Sequence, residues 1–99
     1  MDVRIQAIHF DATEKLQDFI QKKVAKLEKY CDDISKVEVS LKVVKPETAN
    51  NKEVSMKLMA LNEEFFVEKV SDTFEESVDI CAEALSKQLM KTKEKQRGK

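Results

Sequence analysis

The chain has 99 residues, with 18 Lys and Arg against 19 Asp and Glu, so its formal net charge is −1. This length suits one domain with one hydrophobic core, and the longest apolar run, Leu58–Leu61, is too short to span a bilayer. The single glycine, Gly98, excludes a glycine-rich phosphate loop, and two Cys with one His cannot complete a four-ligand zinc site. We therefore expect no cofactor. No basic segment followed by an apolar stretch opens the chain, so we also expect a cytoplasmic protein.

The first half of the chain predicts a strand, a helix and a second strand. Apolar and polar residues alternate over 3–8, which is typical of a half-buried strand. Apolar residues then recur at helical spacing over Glu14–Cys31, and Asp11, three residues before Glu14, resembles a helix start in which both side chains bind free amides. The strictest alternation, over 36–45, predicts the second strand, and a polar, turn-prone loop follows over 46–52.

The second half predicts two more strands and a long helix. Residues 54–60 alternate as a third strand, and 65–70 form a fourth after a turn at Asn62 and Glu63. Asp72 and Glu75 repeat the helix-start spacing, and the apolar residues after them predict a helix from about Thr73 into the low 90s.

The element order predicts an α+β fold of the type β-α-β-β-β-α. Alternating strands favour an antiparallel sheet with one covered face, and the first helix makes a crossover that leaves strands one and two parallel. We therefore expect a four-stranded mixed, mostly antiparallel sheet with both helices on one face, similar to double-stranded RNA-binding domains. Residues 1–95 form this single domain, and 96–99 form a basic, frayed tail.

The near-neutral total conceals charge that is segregated along the chain. Residues 15–29 carry +3 and 36–57 carry +2, whereas 62–83 carry −7 and 87–99 carry +5. On the first helix Lys15, Lys22, Lys26 and Lys29 share a stripe about 60° wide beside the apolar face. Such stripes are either solvated surface or the footprint of a polyanion site, and charge alone favours neither.

Other residues with chemical potential have simpler interpretations. Cys31 and Cys81 lie on apolar helix faces and are predicted to be buried free thiols rather than a redox pair. His9 belongs to no Cys, Ser or Asp arrangement that points to catalysis, which favours a structural or surface role. Tyr30 has two interpretations, packing on the core or stacking on a base, and we favour packing. No arrangement of residues indicates an enzyme.

Four segments together resemble a known family, the bacterial ribosome hibernation-promoting factors and the related ribosome-associated inhibitor. The segments are KVAKLEKY at 23–30, VSLKVVK at 39–45, DTFEESVD at 72–79 and LSKQLMKTKEK at 85–95. They occur in the family's order and span nearly the whole chain. Departures include Lys87 where the family often has Arg, Ser77 where Ala is common, and a hairpin without its usual Gly.

The resemblance implies a function. Members bind the small ribosomal subunit where mRNA and tRNA would sit and silence idle ribosomes in stationary phase or stress. It further implies a short member without the second domain of the long members, monomeric off the ribosome and without a small-molecule substrate or a membrane. The residues expected to contact phosphates of 16S rRNA are Lys22, Lys26, Lys29, Lys42, Lys45, Lys87, Lys91, Lys93 and Lys95.

Two other functions stay open at this point. The acidic segment 62–83 suits a regulator that binds a basic protein, and the family is also described as modulating an alternative sigma factor. A general double-stranded RNA module is the third possibility, because similar element orders recur in such domains.

Overall fold

The computed structural model describes residues 2–8, 10–31, 34–44 and 50–97 and has the predicted element order. The elements are β1 Asp2–Ala7, α1 Glu14–Ala25, β2 Ile34–Val43, β3 Lys52–Ala60, β4 Glu63–Ser71 and α2 Phe74–Arg97. A 3₁₀ helix, Lys26–Lys29, follows α1 directly. Within these ranges no helix combines the length and apolarity that crossing a membrane requires.

The four strands form one mixed sheet in the order β1-β2-β3-β4. β1 pairs with β2 in parallel, as the crossover through α1 predicts, and β2–β3 and β3–β4 are antiparallel. The register places Val39 of β2 between Ile5 of β1 and Met56 of β3, so these apolar residues share one face. The predicted fold is confirmed.

Both helices begin at a threonine and not at the aspartate predicted from the Asp-x-x-Glu spacing. The Thr13 hydroxyl accepts a hydrogen bond from the Leu16 amide at 3.1 Å, and the Thr73 hydroxyl accepts one from the Glu76 amide, also at 3.1 Å. A hydroxyl directly before the first helical residue reaches these free amides, whereas Asp11 lies too far upstream. Asp72 binds the Asn50 amide instead, at 2.8 Å, and ties the start of α2 to the segment before β3.

Several boundaries also differ from the prediction. The α-helix ends at Ala25 and not at Cys31 as predicted, and the tighter 3₁₀ helix follows in place of its last turn. α2 continues to Arg97, past the predicted end in the low 90s, because Lys, Gln and Glu are good helix formers and need no apolar contact to propagate a helix. Residues 98 and 99 of the predicted tail lie outside the described residues.

The β3–β4 turn consists of Leu61 and Asn62, one residue earlier than predicted. Both have positive φ, 55° and 60°, as the two central residues of a type I′ hairpin require. Asn tolerates this conformation, while a leucine is strained in it. Leu61 packs against the core, and this contact offsets the strain.

The core lies between one sheet face and the two helices. Ile20 and Val24 of α1 and Leu85 and Leu89 of α2 are fully buried against it, and the Cys81 thiol of α2 reaches the Val54 carbonyl of β3 at 3.4 Å. The largest fully buried side chains are Ile20, Leu27, Leu41, Met56, Leu58, Leu85 and Leu89. This packing fixes α1 and α2 side by side on the sheet.

The opposite sheet face, which we call the open face, carries alternating charges. Lys36 and Glu38 form an ion pair at 3.1 Å, and Lys57 pairs across strands with Glu64 at 3.7 Å. The Lys36 ammonium binds and attracts the Glu38 carboxylate and lowers the pKa of that group below its ordinary value of 4.5. Positive and negative groups on this face therefore largely compensate one another.

Candidate nucleic-acid interface

Of the nine lysines predicted to contact rRNA, eight lie in the described part of the chain and Lys45 lies outside it. Lys93 is half-buried. The exposed lysines are Lys22, Lys26, Lys29, Lys42, Lys87, Lys91 and Lys95. The structure divides these eight among four regions.

The first region is the groove between the two helices. It has a volume of about 220 Å³ and is lined by Lys26 and Tyr30 on one side and Glu83 and Ser86 of α2 on the other. Lys22, one turn before Lys26, projects from the same flank of α1 because the helix repeats every 3.6 residues. Neither lysine forms an ion pair with any residue that the structure describes.

A second groove continues from the first at the end of the 3₁₀ helix. Its volume is about 240 Å³, and Lys29, Tyr30, Met90, Lys93 and Glu94 line it. The structure thus brings Lys26, Lys29 and Lys93 together around Tyr30, although Lys93 comes from the other helix.

Lys93 also has a structural role that the sequence pattern did not show. Its ammonium donates a hydrogen bond to the Tyr30 carbonyl at 3.3 Å and so joins α2 to the end of the 3₁₀ helix. A lysine that donates to a carbonyl keeps its charge, but it is less free to follow a phosphate than Lys26 or Lys29.

Of the remaining lysines of α2, Lys87 borders the first groove beside Glu83, and Lys91 and Lys95 lie farther round the helix. Lys87 pairs with Glu83 at 3.3 Å, an exposed contact one helical turn apart that adds little stability. Lys91 and Lys95 follow Lys87 at four-residue steps, whereas Lys93 lies on the opposite side of the helix from Lys91. The predicted basic face of α2 is therefore split between two flanks.

Lys42 is separate from all of these residues. It alternates with the buried Leu41 on β2 and thus projects from the open face, where its antiparallel neighbour is Glu53. It also lies at the end of β2 opposite to Ile34, which follows the first helix. The structure does not bring Lys42 together with the lysines of the helices.

The acidic residues of 62–83 do not form one surface set against the lysines. Asp79 pairs with Lys23 at 2.6 Å in the helix groove, and Glu83 lines that groove beside Lys87. Both acids therefore lie among the lysines of the helices, because Asp79 is on the flank of α2 that faces α1. Glu64 and Glu68 lie on the open face.

Sequence reasoning missed two features of the helix groove. The prediction that Tyr30 packs on the core is wrong, since 37% of its surface is exposed. No periodicity could show this, because the change from α to 3₁₀ geometry shifts every side chain after Ala25. Lys23 was counted only as part of the basic segment, but it bridges the helices.

The two cysteines are buried and free, as predicted. Burial raises the pKa of the Cys81 thiol from 9.0 to about 11, so that thiol stays protonated at neutral pH. His9 lies outside the described residues. Within the described ranges no group of three His, Cys, Asp or Glu side chains could hold a metal ion.

Comparison with known proteins identifies relatives along the whole chain. The family model described as sigma 54 modulation protein / S30EA ribosomal protein matches residues 3–97. A ribosome hibernation promoting factor of Azotobacter vinelandii is 29% identical over 96 residues, covering 97% of this chain and 86% of its own. One from Pseudomonas putida is 31% identical over 98 residues, covering 99% and 92%.

Solved structures agree with the fold at lower identity. A ribosomal subunit interface protein from Coxiella burnetii has a TM-score of 0.84 at 22% identity, over 94% of this chain and 98% of its own. The Thermus thermophilus Protein Y N-terminal domain has a TM-score of 0.79 at 18% identity, over 93% and 99%. With the family model spanning residues 3–97, the chain belongs to the sigma 54 modulation protein / S30EA ribosomal protein family.

Proposed function

We propose that this protein binds the small ribosomal subunit in the cytoplasm and occupies the path of mRNA and tRNA, so that idle ribosomes do not translate. The observation that carries this proposal is the flank of Lys22, Lys26 and Lys29, which form no ion pair with the residues that the structure describes. The chain's relatives are named ribosome hibernation promoting factors. The ligand of this flank is the phosphate backbone of 16S rRNA.

Unpaired ammonium groups suit this task better than paired ones. Each lysine that meets a phosphate releases condensed counterions, which favours binding and makes it dependent on salt. Lys87 and Lys93 have partners within the protein, so a phosphate must compete with Glu83 or with the Tyr30 carbonyl for them. We expect Lys22, Lys26 and Lys29 to contribute more to binding than these two.

The mechanism is competition for space and requires no chemical step. A domain whose helices are held on the sheet by a continuous core presents a fixed shape, and a bound fixed shape excludes mRNA and tRNA from the same volume. Lys42, on the other face and at the other end of β2, contacts rRNA where the subunit encloses the domain from a second side. Off the ribosome the protein is a monomer.

The proposal is tested by sedimentation with purified small subunits and by translation in a reconstituted system. We expect the protein to sediment with small subunits, to block initiation on them, and to bind with an affinity that falls linearly on a log–log plot against salt concentration. Binding that is insensitive to salt, or bound protein that leaves initiation unchanged, would contradict it.

A second candidate function is a regulator that binds a basic protein through its carboxylates. The family description includes sigma 54 modulation, and Glu63, Glu75 and Glu76 are exposed and form no ion pair with the described residues. Ribonuclease treatment of a pull-down separates the candidates, because it removes a ribosomal partner and spares a direct protein contact. A protein partner retained after ribonuclease would favour this second function.

A further inference from the structure

Tyr30 is an exposed aromatic side chain on an anchored backbone. Its amide donates to the Leu27 carbonyl at 3.0 Å, and its carbonyl accepts from the Lys93 ammonium at 3.3 Å. The next residue, Cys31, is buried and donates to the same Leu27 carbonyl at 3.3 Å. The main chain is therefore held on both sides of Tyr30 while the residue keeps 37% of its surface exposed.

Besides Lys93, which binds the Tyr30 carbonyl, two more cations and an exposed apolar side chain surround Tyr30. Tyr30 lines both grooves described above, with Lys26 in one and Lys29 in the other. Residues three apart in a 3₁₀ helix lie on the same side, about 6 Å apart along the axis, so both ammonium groups belong to one edge of the cluster. Met90 of α2, 47% exposed, lines the second groove together with Tyr30.

We propose that Tyr30 stacks on one unpaired base of a single-stranded RNA segment while Lys26 and Lys29 hold the phosphates on either side of it. This inference rests on the proposed function and adds a base contact to an interface so far described by phosphates alone. An aromatic ring offers a base what an ammonium group cannot, a flat apolar face, and stacking needs no particular sequence because every base has such a face.

The charges around the cluster determine on which side of the bound RNA the phosphate backbone lies and on which side the base lies. Glu94 lines the second groove and Glu83 the first, both on the α2 side. These carboxylates repel phosphates and leave the Lys26 and Lys29 edge for the backbone. The base then points toward Tyr30 and Met90. A paired duplex does not fit this arrangement, because its base faces are already stacked.

The sequence provides a direct probe of the contact, since Tyr30 is the single tyrosine and the chain has no tryptophan. Intrinsic tyrosine emission of the wild-type protein therefore reports this residue alone. We would titrate the protein at low salt with end-labelled hexauridylate, and with an abasic hexamer that has the same phosphates and no bases. Anisotropy of the label measures binding, and N-acetyltyrosinamide corrects for absorption by the oligomer.

We expect hexauridylate to quench the emission in parallel with the anisotropy change, and the abasic hexamer to bind more weakly without quenching. Equal quenching by both oligomers would overturn the proposal, as would hexauridylate that binds and leaves the emission unchanged. A duplex of the same length that quenches as strongly would overturn the single-stranded assignment.

Two variants carry the test to the small subunit. Tyr30→Phe keeps the stacking face and is expected to bind subunits like the wild type, whereas Tyr30→Leu is expected to lose on the order of tenfold in affinity. Urea unfolding of both variants identifies any loss that comes from folding. If Tyr30→Leu binds normally while charge reversal by Lys22→Glu with Lys26→Glu abolishes binding, base stacking is overturned and the proposed function stands. If neither change affects binding, both are overturned.

Discussion

The Lys23 ammonium of α1 lies 2.6 Å from a carboxylate oxygen of Asp79 on α2. The same ammonium lies 5.4 Å from the centroid of the Phe19 ring, and the Lys23 side chain is only 26% exposed. One lysine of the basic segment thus connects the two helices. The groove that contains Lys26 and Tyr30 has this ion pair at one end.

We expect the Lys23–Asp79 pair to stabilise the fold modestly. Because Asp79 remains 57% exposed, solvent screens the pair, and Asp79→Asn should lower the free energy of unfolding by less than about 1 kcal/mol. A double-mutant cycle with Lys23→Met, followed by urea unfolding, measures the coupling between the two side chains. Asp18→Asn on α1 is the control, because Asp18 is an exposed acid that forms no ion pair with the described residues. Strictly additive losses would show that the pair contributes nothing.

Charge reversal at Lys22 and Lys26 tests the basic flank. Lys22→Glu with Lys26→Glu is expected to abolish sedimentation with small subunits and to leave the circular dichroism spectrum unchanged, since both side chains are exposed. Arg4→Glu with Lys69→Glu makes the same change in net charge at exposed positions of the sheet. If the sheet variant lost as much binding to small subunits as the helix variant, the effect would come from net charge alone. If the helix variant bound as well as the wild type, the flank would not be part of the interface.

Cys81 should make the stability depend on pH in alkaline solution. Its folded pKa of about 11 exceeds the ordinary value of 9.0, so the unfolded chain loses this proton first as the pH rises. The free energy of unfolding therefore falls between pH 9 and pH 11, and it is unaffected by this thiol below pH 9. Urea midpoints of the wild type and Cys81→Ala over this range isolate the effect, because Tyr30 and the lysines are common to both. Parallel curves would contradict it.

Ser77 should stabilise the start of α2, although Ala is common there in the family that the sequence resembles. Its hydroxyl lies 2.8 Å from the Lys52 carbonyl and 2.7 Å from the Ser71 hydroxyl, which also reaches the Thr73 carbonyl at 2.8 Å. Two hydroxyl hydrogens serve three contacts, so only two hydrogen bonds form at once. We expect Ser77→Ala to lower the free energy of unfolding by about 1 kcal/mol. Thermal and urea unfolding measure this loss. The control is Ser86→Ala at a half-buried position, which removes only a local hydrogen bond to the Glu83 carbonyl.

The alternation of Val37, Val39 and Leu41 and the helical spacing of Ile20 and Val24 were enough to predict the fold. Each strand or helix buries one face along its whole length, so its apolar residues repeat at the period of that element. The repeat is long enough to identify the element from the sequence alone. The turn includes Leu61 and so begins one residue before the predicted position. A leucine with positive φ is strained, and the strain is offset by a tertiary contact with the core, which the local sequence does not show.

The candidate site was predictable only in part. Lys22, Lys26 and Lys29 share a flank that helical geometry alone predicts. The partners of Lys23 and Lys93 come from the other helix, 56 and 63 positions away, and no local pattern indicates contacts at that separation. The exposure of Tyr30 depends on a local change of helix type, which the apolar spacing does not report.

The compensated charges of the open face also bear on how quickly a partner is found. A surface on which Lys36, Glu38, Lys57 and Glu64 neutralise one another produces little field beyond a Debye length. Lys22, Lys26 and Lys29, which form no ion pair with the described residues, do produce one. The positive field is thus concentrated on the first helical segment, although the net charge is −1. In the field of a polyanion, such a distribution turns that segment forward before contact and raises the fraction of collisions that are productive.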